Sequence, residues 1–379
     1  MRGSVIKRGS TYSIVLDLGR GPDGKRQRKW HSGYRTRKDA ERARIELLAR
    51  LDQGCYVEPS RLTFATFLRD QWLPGLAGRV RPTTVHGYTT NLERYVLPRV
   101  GQVTLQRLTP AQLNTLYAAL LAGGGKDGRP LSARTVQAIH MTVRKALRDA
   151  ARWGLVARNV AELADPPSPT RADMRTWTAE ELRRRFLTHV EGERLAALWM
   201  LAASTGMRRG EVLGLRWVDV DLELARVAVR QTLVLAGRQV VTSEPKTSRG
   251  RRSIALDPRT VAALRSWRAA QLEERLAWGA AWTDSGLVFT REDGTPMHPE
   301  WLSDAFDWRI RTAGLPRIRF HDLRHTHASL GLAAGVPVKV MSERLGHSTS
   351  SFTADAYQHV TPALEEHAAS TVARLVFGP

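Results

Sequence analysis

Hydrophobic positions fall into three regimes along the chain. Near the start, alternating apolar and polar residues predict short strands over 13–18 and 29–34, joined by the turn-rich stretch 19–24. A charged helix follows from Thr36 or Asp39 to about Asp52, with Ala43, Leu47, Leu48 and Leu51 as its apolar stripe. Residues 55–62 form a connector. From 63 to about 164 the period is helical throughout. One helix opens at Thr83, carries Val85, Tyr88, Leu92 and Tyr95, and is expected to stop at Pro98. A second opens at Thr109-Pro110, an N-cap threonine with proline in the first turn. A third is capped by Ser132 and runs through Trp153 on Val136, Ile139, Val143 and Leu147.

Three prolines within 166–169 break the pattern and mark a linker. Beyond it, 171–379 reads as helices at 178–189 and 193–204, then a strand-rich stretch at 225–256 with turns at 236–237 and 247–250. Helices resume from Pro258, apart from a short strand at 287–290. No internal repeat is visible. The class is mainly α with small β-sheets (α+β), in three parts: 1–54, 63–165 and 171–379.

Composition narrows the partners. The formal charge is +21 on 379 residues, from 58 basic and 37 acidic side chains, which suits a polyanion such as nucleic acid. Anionic membrane surfaces or heparin-like polymers satisfy the same charge, so composition alone does not choose DNA. Cys55 is the one cysteine, which leaves no intrachain disulfide or cysteine zinc cluster and fits a reducing cytoplasm. The longest apolar run, 195–203, is about half a membrane span. Candidate DNA contacts are Lys25, Arg26, Arg28 and Lys29 on the first hairpin, and Arg134, Arg144 and Lys145 on the long helix. Arg249 and Arg251 add to them in the basic loop after 244.

Four segments of the last part suit phosphate chemistry. Thr205-Gly206-Met207-Arg208 sets an arginine beside a helix start, with Glu211 one turn on to orient it. Lys246 lies on a loop between two strand-like stretches, within reach of a leaving oxygen. His321 and Arg324 share a helix face. Leu345-Gly346-His347 precedes Tyr357, the one tyrosine of the last part; the other six lie at 12, 34, 56, 88, 95 and 117. Each segment alone has a plainer reading as a surface ion pair, a basic loop or a core tyrosine. A zinc site on His321 and His325 is the weaker alternative, because Arg324 beside it repels a cation and the glutamate of a zincin motif is missing.

Together the segments resemble the tyrosine recombinases of the phage-integrase type, whose signature Arg…Lys…His-x-x-Arg…His…Tyr falls in order on Arg208, Lys246, His321, Arg324, His347 and Tyr357. Arg209 leaves the first position open to a neighbour; Arg208 is favoured because it directly follows Thr-Gly-Met. The resemblance implies a basic arm-site module at 1–54, a helical core-binding domain at 63–165 and a catalytic domain at 171–379. It implies a site-specific recombinase that integrates or excises a mobile element, acting on two double-stranded DNA sites as a homotetramer. Accessory DNA-bending or directionality proteins would assist it in the nucleoid of a bacterial cytoplasm. Residues 361–377 would form an exchanged helix, with packing in cis as the plainer alternative.

The implied mechanism is a 3′-phosphotyrosyl intermediate on Tyr357. Arg208 and Arg324 clamp the phosphate, Lys246 protonates the leaving oxygen, His321 accepts the tyrosine proton and His347 binds the phosphate. Glu211 holds Arg208. No metal, ATP or other cofactor is expected. The rival readings are a DNA-binding regulator of the same fold and a type IB topoisomerase; a metal-dependent nuclease lacks the carboxylates it would need.

Overall fold

The computed structural model describes residues 3–20, 24–52, 56–170, 175–237, 239–244, 250–346 and a few positions after 369. The chain forms two compact units, Met1–Thr170 and Arg171–Pro379, divided just after the proline-rich stretch.

The first unit begins with an antiparallel sheet of β1 (Gly3–Arg8), β2 (Thr11–Arg20) and β3 (Arg26–Tyr34), in the order β1-β2-β3. Alternation turns Ile14 and Leu16 of β2 inward, where they meet Ala40 of the helix Arg37–Asp52; Leu47, Leu48 and Leu51 complete that small core. The strand β1 is an addition to the expected hairpin. Gly9, at φ 58°, makes the tight turn from β1 to β2, a conformation glycine adopts without steric cost.

The helices of the first unit close around Trp72, Leu92, Leu113, Tyr117, Ile139 and Val143, all buried. Thr109 and Ser132 cap the helices Pro110–Gly123 and Ala133–Arg152, as their sequence positions required. Two buried polar pairs fix the packing: Trp72 Nε1 donates to Asp149 Oδ2 at 2.9 Å, and the Tyr117 hydroxyl lies 2.9 Å from His140 Nδ1.

Pro98 does not end its helix. The helix Pro82–Asn91 passes into a π-helical turn, Leu92–Val96, and then an α-helical turn, Leu97–Val100. Leu97 N–H bonds five residues back to Leu92 O. That wider register seats the proline ring, and its missing N–H, in a fresh first turn where no donor is needed.

The second unit is built on the helix Ala196–Thr205, apolar on nearly every side and buried accordingly. Its Trp199 joins Trp177, Phe186, Phe306 and Phe320 in a chain of tilted, stacked and edge-to-face contacts. Further helices lie at Arg209–Leu213, Pro258–Trp278, Pro299–Thr312, Phe320–Ala333 and Val338–Leu345. One small sheet takes the order β4 (Val220–Asp221), β5 (Arg226–Val229), β8 (Arg252–Ala255); β6 (Thr232–Ala236) and β7 (Gln239–Ser243) pair as a separate hairpin.

The strand expected at 287–290 is instead two isolated bridges, Arg216 with Leu287 and Thr290 with Pro296. Its apolar run serves burial: Leu287, Val288 and Phe289 fill core positions, and Val288 O accepts from Trp267 Nε1 at 2.6 Å. The expected turn at 236–237 is found after β6, and that at 247–250 lies mostly outside the described residues. Among the described residues no helix is long and apolar enough to cross a membrane.

Candidate active site

The site grows from a helix end. Gly206 closes the helix Ala196–Thr205 in the left-handed region, at φ 64°, and a Cβ there would come within 2.7 Å of Leu345 Cδ2. Glycine thus permits both the turn and the close approach of the Leu345 segment. Two residues on, Arg208 is the extended N-cap of the helix Arg209–Leu213. Its backbone N–H donates to Glu211 Oε2 at 2.9 Å, and its Nη1 donates to Glu211 Oε1 at 2.8 Å. The same guanidinium reaches Gly346 O at 3.2 Å through Nη2. Arg209 turns away instead and donates to Ser303 Oγ at 2.6 Å, so Arg208 is the inward arginine.

Arg324, on the helix Phe320–Ala333, is only 2% exposed. Its Nη1 donates to Gly206 O at 2.9 Å and its Nη2 to Leu345 O at 2.6 Å. Two arginines far apart in sequence therefore converge on successive carbonyls, those of Leu345 and Gly346. His347 follows immediately, but it lies outside the described residues, as do Lys246, Arg249, Tyr357 and most of 361–377.

Glu211 is almost wholly buried. Burial would raise its carboxyl, but the hydrogen bonds and charge of Arg252, with the charge of Arg208, outweigh that and hold it below the ordinary carboxylate range. His321 sits one helical turn from Arg324, its ring 5.2 Å from that of His325. Burial, then the neighbouring His325 and Arg324, push the His321 imidazole down to about 4. It is neutral at pH 7 and able to accept a proton. Among the described residues no three His, Cys, Asp or Glu side chains gather as a metal would require.

His327 is displaced the same way, to about 4, by burial and then by Arg344. Arg344 Nε donates to His327 Nε2 at 3.2 Å, and His327 Nδ1 lies 3.2 Å from Ala203 O, so the neutral ring carries its proton on Nδ1. Both imidazoles are neutral in the folded protein and titrate near the usual 6.5 when unfolded, so the unfolded chain gains protons first on acidification. Stability is expected to be full above pH 6.5 and to fall as pH drops toward about 4, by on the order of 2–3 kcal/mol for His327 and by less for the exposed His321, where solvent screens the effect. Urea melts at pH 7.5, 6 and 5 test this; His327→Gln should lessen the acid loss, and an equal loss in that variant contradicts the assignment.

The basic side chains chosen as DNA contacts divide by face. In β3, Arg26 and Arg28 share a side with the exposed Trp30, whose ring lies 5.0 Å from the Arg8 guanidinium. Lys29 points to the opposite side and pairs with Glu58, while Arg26 pairs with Asp17. Arg144 pairs with Glu162 and Lys145 with Asp149, and Arg251 with Glu244 at 2.7 Å. Lys25 is also engaged, and Arg134 stands in the first turn of its helix.

Sequence reasoning missed two residues. Trp30 was treated only as part of a strand, although an exposed aromatic among arginines was a visible signal. Arg252 is not among the basic residues that the sequence singles out. Its signal was parity: Arg252 lies two residues before the buried Ile254, on the inward face of β8.

Residues 175–363 match the phage integrase family, residues 4–51 an arm DNA-binding domain, and residues 63–121 a phage integrase N-terminal SAM-like domain. An integrase of Streptomyces ambofaciens is 30% identical over 93% of this chain and 91% of its own length. Among solved structures, the Tn1549 transposon integrase in complex with a circular intermediate DNA superposes with a TM-score of 0.65 at 19% identity, over 78% of this chain and 95% of that one. A lambda integrase tetramer bound to a Holliday junction gives a TM-score of 0.57 at 18% identity, over 93% of each chain.

Proposed function

Since the chain belongs to the phage integrase family of tyrosine recombinases and is thereby a DNA strand-transferring enzyme, we propose a full assignment of its site. Tyr357 attacks the scissile phosphate, its phenolic oxygen bonding to phosphorus as the bond to the 5′ oxygen breaks. The phenolic proton passes to His321, and Lys246 protonates the departing 5′ oxygen. Arg208 and Arg324 hold the two non-bridging oxygens, where negative charge concentrates, and His347 adds a hydrogen bond. The phosphotyrosine conserves the ester, so the 5′-hydroxyl of a second duplex restores the backbone in the reverse reaction, without ATP. The arginines supply the electrostatics that a metal ion would otherwise bring.

The observation that carries this reading is the convergence of Arg208 and Arg324 on the carbonyls of Leu345 and Gly346, beside a neutral His321. A guanidinium held in place by the protein is a planar fork of donors suited to a phosphate. The integrase acts on double-stranded DNA at two recombination sites, as a homotetramer like the lambda integrase bound to a Holliday junction. Within it, 1–54 binds arm sites, 63–165 binds the core site, and 171–379 carries the chemistry. Its substrates are the ends of a mobile element in the bacterial nucleoid, with accessory DNA-bending or directionality proteins setting the direction.

The test is chemical. In EDTA and without nucleotide, the protein is expected to form a covalent complex with nicked DNA bearing its core site. Cleavage that needs a divalent ion and leaves no covalent complex would establish a nuclease instead. Relaxation of supercoils without any joining between two duplexes would favour the topoisomerase reading.

A further inference from the structure

Glu211 accepts from two arginines, and only one of them belongs to the phosphate clamp. The other, Arg252, opens β8 and pairs across that sheet with Val229 of β5. Its side chain is 7% exposed, whereas that of Arg208 is 38% exposed. Its donors are engaged by the protein itself: Nη2 to Glu211 Oε2 at 2.9 Å, Nη1 to Glu211 Oε1 at 3.2 Å and Gly250 O at 3.3 Å, and Nε to Arg344 O at 2.7 Å. A buried fork so committed has no face left for DNA.

Two of its partners lead to the clamp. Glu211 is the carboxylate that grips Arg208 through side chain and backbone. Arg344 immediately precedes Leu345 and Gly346, whose carbonyls receive Arg324 and Arg208. Arg344 is itself tied down, donating to Ala255 O and Ser204 O at 3.1 Å each. A lone Arg208–Glu211 pair at helical spacing would leave the carboxylate free to rotate; the bidentate grip from the opposite side removes that freedom.

We propose that Arg252 is a positioning residue for strand cleavage, fixing the Glu211 carboxylate and the Arg344 carbonyl so that Arg208 and the Leu345–Gly346 segment meet the scissile phosphate in register. The inference rests on the clamp role assigned to Arg208 above. Arg252 touches no DNA, and its effect is exerted through the orientation of Arg208 and of the Leu345–Gly346 segment.

A substrate with a methylphosphonate at the scissile position separates positioning from mere folding, because one non-bridging oxygen and its charge are gone and the clamp is needed less. On ordinary nicked DNA, Arg252→Ala should cleave roughly 100-fold more slowly in a single turnover, in the range seen when one preorganised donor is lost, with DNA affinity within about 3-fold. On the methylphosphonate the deficits of Arg252→Ala and Arg208→Ala should both shrink to within about 10-fold of the parent protein. If Arg208→Ala recovers and Arg252→Ala does not, the positioning role is overturned while the clamp stands. If Arg208→Ala itself fails to recover, the clamp reading falls first. Should the alanine variant not fold, Arg252→Lys keeps the buried charge but cannot span both partners, and the same comparison applies to it.

Discussion

Arg324→Ala is expected to lose strand cleavage by about 1,000-fold or more and to be destabilised as well. Arg324 is fully interior, and its donors to Gly206 O and Leu345 O tie the end of the helix Ala196–Thr205 to the Leu345–Gly346 segment. Truncation leaves two buried carbonyls without these donors, at a cost of about 3 kcal/mol, on the order of 1–3 for each group. Urea denaturation measures the stability loss, and single-turnover formation of covalent complex measures the rate. Arg324→Lys should recover part of the stability and little of the rate, since an ammonium cannot span both carbonyls and a phosphate. A lysine variant that cleaves like the parent protein would contradict the clamp.

Glu211→Ala is expected to have the second-largest effect. It strips the shared carboxylate from Arg208 and Arg252 and leaves two cations partly or wholly buried, one of them 7% exposed, which costs about 3–5 kcal/mol when a buried pair is broken. Glu211→Gln keeps the volume and removes only the charge, so it should fold while cleaving roughly 10- to 100-fold more slowly. The pH dependence has a definite sign. The folded carboxyl titrates below its ordinary 4.5, so its contribution is fully present above that value and is lost as pH falls through the lower folded value. The stability gap between the parent protein and Glu211→Gln should therefore be constant from pH 8 to 5 and close only in stronger acid. A gap that closes near pH 6.5 would mean that a histidine, and not Glu211, carries the difference.

The order of the clamp residues was legible because each sits at a punctuated point of the chain. Gly206 ends a helix, Arg208 begins the next, and His321 and Arg324 share a face one turn apart. Caps were equally readable at Thr109 and Ser132, where a side-chain oxygen and a helical period coincide. Pro98 was misleading for a definite reason: a π-helical turn absorbs the missing donor, and nothing local in the sequence distinguishes that from a stop. The run 287–290 looked like a strand because burial and strand propensity favour the same residues, and only pairing separates them. β1 was overlooked because Ser4, Val5, Ile6 and Lys7 give too short an alternation to stand alone. Arg252 is one of four cations between 244 and 252, and only the three-dimensional neighbour Glu211 distinguishes it from the others. Lys29 shows the converse: charge clustering suggested a common face, and strand alternation divides it.

The central claim is that Tyr357 is the nucleophile and that it retains the DNA through a 3′-phosphotyrosyl ester. Nicked DNA bearing the core site, incubated with the protein, digested with protease and nuclease and analysed by mass spectrometry, tests it most directly. The account predicts one modified peptide, that containing Tyr357, linked to the 3′ end of the cut strand with a free 5′-hydroxyl on the other side. Tyr357→Phe should bind the same DNA and yield no such peptide. An adduct on any other residue, a 5′ linkage, or an adduct that persists in Tyr357→Phe would contradict it.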